Sequence, residues 1–329
     1  MISFRYLIVT LVAVFLALAL GVLAGTTVLD QGLVSTLKAQ THAAERRATA
    51  AQGDLAAAST TVSQLQDLIG QAAPFLVQNR LNGQRVVVVT YDGSDPTARN
   101  EAVSALQDAG ANVLATLSVT ARMAATDPSS RTELAGVLGV PVPPPPTPSG
   151  NAGPSASPGS DPLVGQAAAQ MASRLGAGGH ASGPKRRGQD LLGALLDKGF
   201  LKSAVSAGAL PSVGGPNQVV LVVTSGGQPA PVPLSQFMMP LIEGLVRHPA
   251  TWLAVGESAP QPGGADPLVQ GVRSDAALSG DQMVTVDDLD PQHFGGIQLV
   301  LGLDSLIHDG RGGNYGTLAG SQGLLPKAG

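Results

Sequence analysis

The chain has 329 residues, a formal net charge of −4, 43% hydrophobic residues, 3% aromatics and no cysteine. The small charge excludes a nucleic-acid arm or a polybasic membrane patch. The missing cysteines exclude disulfides, a thiolate metal site, a cysteine nucleophile and a lipoprotein anchor together.

The first segment, residues 1–6, reads as a short stub on the cytoplasmic side. Leu7 to Leu29 follows as an uncharged apolar run between Arg5 and Asp30. A membrane span needs ~20 apolar residues, so residues 7–29 are expected to form one transmembrane helix. Gly21 and Gly25 make a small-xxx-small pair that would admit a second helix closely. A cleaved signal peptide is the competing reading, with Val22-Leu23-Ala24 as its cleavage site. The run exceeds an ordinary signal core and continues into helical sequence, which favours a retained anchor. Positive charge is sparse on both sides, with Arg5 before the span and Lys38, Arg46 and Arg47 after it. The orientation therefore rests on export geometry: stub inside, bulk outside, a single-pass protein of the cell membrane.

Residues 30–73 carry a heptad pattern. Position a falls at Val34, Thr41, Ala48, Leu55, Val62 and Ile69, and position d at Leu37, Ala44, Ala51, Ala58, Leu65 and Ala72. The large residues Val34, Leu37, Leu55, Val62, Leu65 and Ile69 all lie on this seam, which predicts a coiled coil and a parallel homodimer. The alternative is one amphipathic helix lying on its own globular domain. Pro74 is expected to end the helix.

An α/β head is expected over residues 81–329. Arg85 to Thr90 is a β-branched run suited to a strand buried on both faces. A turn at Tyr91 to Pro96, a helix over Thr97 to Ala109 and a strand over Asn112 to Val119 complete a βαβ unit. The stretch 140–162 is Pro-, Ser- and Gly-rich and predicts a solvated insertion, as does 176–188. Helices are predicted at Leu163 to Leu175 and Gln189 to Leu201. Further strands are predicted at Gln218 to Thr224, Thr251 to Val255, Met283 to Val286 and Ile297 to Leu301. A helix at Leu234 to Val246 is expected to kink at Pro240. The alternation predicts a doubly wound, mostly parallel, Rossmann-like sheet with helices on both faces.

In such a sheet, ligands bind beyond the carboxyl ends of the strands. Those ends carry Tyr91-Asp92-Gly93, Ser225-Gly226-Gly227, Gly256-Glu257 and Asp287-Asp288. No GxGxxG follows a strand, and there is no Walker loop or GxSxG elbow, so the chain reads as a non-enzyme without a cofactor. Asp92, Asp287 and Asp288, with Asp95, are candidate ligands for a hard cation, against the plainer reading of turn and cap residues. His42, His180, His248, His293 and His308 show no ligand spacing. Met238-Met239 sits beside Phe237 and Leu241 as core.

The first 37 residues resemble the start of the actinobacterial MctB family of copper transporters. A C-terminal block adds to the resemblance: Val272-Arg-Ser-Asp-Ala-Ala-Leu-Ser279, Val284-Thr-Val-Asp-Asp-Leu-Asp290, Ile297-Gln-Leu-Val-Leu-Gly302 and Gly313-Asn-Tyr-Gly316 before Leu324-Leu-Pro326. Pro291-Gln-His-Phe294 and Asn314 depart locally from the family pattern. The resemblance implies copper efflux or homeostasis, copper as the ligand, and a place in the outer envelope. SteB-like relatives imply a different role, a membrane-anchored partner of a second membrane protein in septal cell-wall turnover. One apolar helix makes no pore, and continuous buried strands are unlike those of a membrane barrel.

Overall fold

The computed structural model describes residues 4–143, 161–177, 190–204, 212–226, 230–259, 267–278, 282–290 and 294–326, without the side chains of residues 4 and 26–37. Most of both expected insertions, together with His180, Gly227 and His293, lies outside the described residues. So do the side chains of Val34 and Leu37. The chain divides into two compact units, residues 1–68 and 69–329.

The first unit is helical. Helix α1 (Phe4–Val77) begins with a 21-residue stretch, Arg5–Gly25, long and apolar enough to cross a membrane. Leu7, Leu11, Phe15, Leu18 and Leu23 on it are exposed, and nothing lies within 4 Å of where a Cβ on Gly21 or Gly25 would stand. Further along, Leu55, Val62, Leu65 and Leu68 are also exposed.

The second unit is the α/β head. After the end of α1 come β1 (Arg85–Tyr91), α2 (Pro96–Asp108), β2 (Asn112–Val119), a 3-10 turn (Ala121–Ala124), α3 (Pro128–Leu138), α4 (Pro162–Ala177), α5 (Leu191–Asp197) and β3 (Leu201–Ser203). Then follow β4 (Gln218–Thr224), α6 (Met238–Val246), β5 (Thr251–Glu257), α7 (Leu268–Ser274), β6 (Met283–Val286), α8 (Gly295–Asp309) and β7 (Gly313–Tyr315). The seven strands form one open sheet in the order β3-β2-β1-β4-β5-β6-β7. All neighbours are parallel except β2 and β3. The doubly wound, mostly parallel architecture expected from the alternation is the one observed.

Strand alternation divides the core. Val87, Val89 and Tyr91 of β1 join Val220 and Val222 of β4 in a core shared with α3 to α7. Val86 and Val88 face the other way with Val219, Leu221 and Val223, under α2, α8 and the end of α1. Burial on both faces is why these strands read as unbroken Val runs.

Several expectations are corrected. Ile297 to Leu301 is not a strand but the first part of α8. Its residues from Gly295 to Val300 are all buried, so no polar face reveals the helical period. Pro74 does not end α1, which continues to Val77. Ile69, Ala73 and Val77 pack on the head's core, so the head begins before Leu81 and Ile69 is not wholly available to a dimer seam. Pro240 lies in the first turn of α6, where no intrahelical N–H bond is lost, so it causes no kink there. Gly199, at φ +72°, stops α5 early and Leu201 starts β3. Helices α3 and α7 and strand β7 were not anticipated. The ends of the 140–162 stretch are packed: Val140 sits against the core, and Asp161, buried and ion-paired with Arg131, accepts the Leu163 N–H at 3.0 Å.

Candidate functional site at the strand ends

Strand order reverses between β1 and β4, which makes the carboxyl ends of these two strands the default place for a ligand. The chain's own groups occupy that place. Asp95 caps α2 through the Thr97 N–H at 2.9 Å, and this hydrogen bond holds its carboxyl below the usual range. Ser94 donates to the Tyr91 carbonyl at 2.8 Å. Asp92 accepts from Lys202 Nζ at 2.6 Å. Gly226 lies so near the Ser258 carbonyl that a Cβ would overlap it, and its N–H donates to Ser258 Oγ at 2.9 Å. Burial pushes the Tyr91 phenol pKa upward.

The strongest polar cluster lies three strands away, under α7. Asp287 is fully buried just beyond β6. Its carboxylate accepts from Arg273 Nη1 at 2.7 Å and from the Thr317 and Leu318 N–H groups, each at 2.8 Å. Arg273 also donates from Nε to Thr285 Oγ1 at 2.9 Å and from Nη2 to the Tyr315 carbonyl at 2.8 Å. Thr285 in turn donates to Asn314 Oδ1 at 2.8 Å. Gly316 takes φ +124°, and a Cβ there would run into the Asp287 carboxylate.

Glu257, at the end of β5, lies on the same sheet face. It is fully buried. One carboxylate oxygen accepts the Val269 N–H at 3.3 Å, and the other has no hydrogen-bond partner among the described residues. Burial pushes its pKa up to about 7; Asp287 adds to the rise, and Arg273 and the α7 amides oppose it.

The candidate cation ligands are therefore not brought together. Asp92 and Asp287 stand three strand spacings apart, roughly 14 Å, each with its own cation. Asp288 is buried at the entry to α8, where its carbonyl crowds Gly295. Among the described residues there is no group of three or more His, Asp or Glu that could hold a metal. Met123, Met171, Met238 and Met283 are buried in the core, and Met239 packs against it. Arg273 and Thr285 were not among the sequence candidates, and Glu257 was noted only as a strand-end residue, not as a ligand. The available signal was strand parity, because Glu257 shares the inward face of Leu253 and Val255.

The three sequence blocks VRSD, TVDD and GNYG thus meet at one buried ion pair. In a comparison with protein families, the one described as "Copper transport outer membrane protein, MctB" matches residues 1–326. The chain belongs to the MctB family. A comparison with curated proteins returned no match. MctB membership and the span-length apolar helix mark a membrane protein related to copper transport. The residues behind the C-terminal MctB resemblance build a structural clamp in this chain: Arg273 and Asp287 tie β6, β7 and α7 to the C-terminal segment.

Proposed function

We propose that the protein is a non-enzymatic, membrane-anchored envelope component that serves copper efflux or homeostasis through assembly with other proteins. The observation that carries this is that three of the four strand-end aspartates are held by the chain's own donors. Asp92, Asp95 and Asp287 are each engaged by the chain itself. Copper(I) favours thiolate, thioether and imidazole donors, and the described methionines fill the core. An open parallel sheet covered by helices offers no lipid-facing barrel wall. Copper handling by this chain would then pass through a partner rather than through its own pore or chelate.

In this reading α1 is retained as a single span, the head is extracytoplasmic, and Leu55, Val62 and Leu65 pair two copies in parallel. Their exposure in the single chain supports that pairing. The same exposed helix favours the second reading, a partner of another membrane protein in septal cell-wall turnover.

Isothermal titration of the full chain in detergent with Cu(I) and Cu(II) tests the first reading. No saturable binding in the micromolar range or tighter is expected, and one-to-one micromolar binding would overturn the assembly role in favour of a metal site. In cells lacking the protein, altered copper content supports the copper reading. Unchanged copper with defective septa supports the second.

A further inference from the structure

Two acids and one arginine share the buried space beneath α7. Arg273 directs all three of its nitrogens to Thr285, Asp287 and the Tyr315 carbonyl. Glu257 accepts the hydrogen bond of an α7 amide and, among the described residues, makes no ion pair. The charged groups acting on it are Asp287 from β6 and Arg273 from α7. Beside it β4 presents Thr224. Helix α6 turns Met238, Leu241, Ile242 and Leu245 inward and keeps Glu243 half-buried.

A carboxylate ionised there is shut away from bulk solvent, Arg273 is already committed to Asp287, and Asp287 repels it. Hydrating it requires α7 to lift from β5. Lifting α7 moves Arg273, which holds the Tyr315 carbonyl and the Asp287 side chain that grips Thr317 and Leu318.

We propose that Glu257 is a proton-operated latch: protonated, it lets α7 seat on the sheet, and ionised, it loosens α7 and, through Arg273, the C-terminal segment from Gly316 onward.

The sign follows from linkage. A carboxyl whose proton is held more tightly in the seated state stabilises that state fully below its ordinary titration range. That stability is lost as pH rises towards about 7, with no further loss above it. For local opening, this window corresponds to a roughly tenfold to hundredfold fall in protection between pH 5 and pH 8.

Amide hydrogen exchange of the full chain in detergent reads it directly, with intrinsic exchange chemistry divided out. The Val269, Thr317 and Leu318 amides of the wild type should lose that much protection, and those of Glu257→Gln should lose none. An equal pH response in Glu257→Gln, or none in the wild type, overturns the latch. Should Glu257→Gln fail to fold, the carbon-13 shift of the wild-type Glu257 carboxyl decides. A midpoint near 7 coinciding with the loss of protection supports the latch, and a midpoint below 5 or a different midpoint overturns it.

Discussion

Arg273 and Asp287 are a buried pair whose hydrogen bonds are met on every side, with side-chain exposures of 3% and 0%. Removing one partner from such a pair strands the other charge. Arg273→Ala is therefore expected to destabilise the head by roughly 3–5 kcal/mol, read by denaturant unfolding. Gly316 and Gly323 allow a finer test. Both take positive φ, but only at Gly316 would a Cβ meet the Asp287 carboxylate, whereas the space at Gly323 is open. Gly316→Ala should cost about 1–3 kcal/mol more than Gly323→Ala, the usual magnitude of overpacking. Equal losses would mean that strain, not the Asp287 contact, governs the position. In the sequence these residues stand out only as short motifs, because the charge that each one meets comes from a different element.

At the scale of elements, α1 and α8 show opposite relations between pattern and outcome. The α1 pattern is periodic and the helix is continuous, yet the partner of its exposed stripe is a separate question from its helicity. The chain lacks cysteine, so single cysteines placed on α1 can report on pairing. In membranes under mild oxidation, Leu55→Cys and Val62→Cys should each give a disulfide-linked dimer, since position a faces its copy across the seam and a small helix movement closes the pair to the ~3.8 Å Cβ separation of a disulfide. Thr60→Cys, on the outer face of the heptad, should stay monomeric. No linkage at Leu55 and Val62, or equal linkage at Thr60, would remove the parallel pair. The α8 sequence misleads for a physical reason: between α2 and the sheet nearly every face of its first turns is buried. A continuous apolar run then fits a buried strand as well as a buried helix. Leu299, Leu303 and Leu306, spaced by four and three, with Gly310 as the left-handed stop, were the distinguishing signal.

For the whole molecule, one apolar stretch carries the proposed topology. With Arg5–Gly25 as the only candidate span among the described residues, protease added to intact spheroplasts should digest the head and spare the short stub. Full protection of the head would invert the proposed orientation. A mature N-terminus at Gly25 would show that the stretch is removed as a signal. Any shortened form should keep Ile69, Ala73 and Val77, since they pack on the head's core.

The sequence by itself determined the apolar segment, the helical character of residues 34–72, the Val-rich parallel strands and the doubly wound class. Each of these depends on side-chain period, burial and chain-local geometry, which composition and spacing express directly. Its C-terminal motifs also carried the family resemblance. Tertiary structure alone decided what those motifs do. Arg273, Asp287, Gly316 and Glu257 lie up to 59 residues apart along the chain (316 − 257), and parallel strand order brings them beneath one helix. It also decided that Asp92 and Asp287 stand apart and that Glu257 makes no ion pair among the described residues. Charge partners across a sheet follow from strand order and register, and no local pattern encodes either.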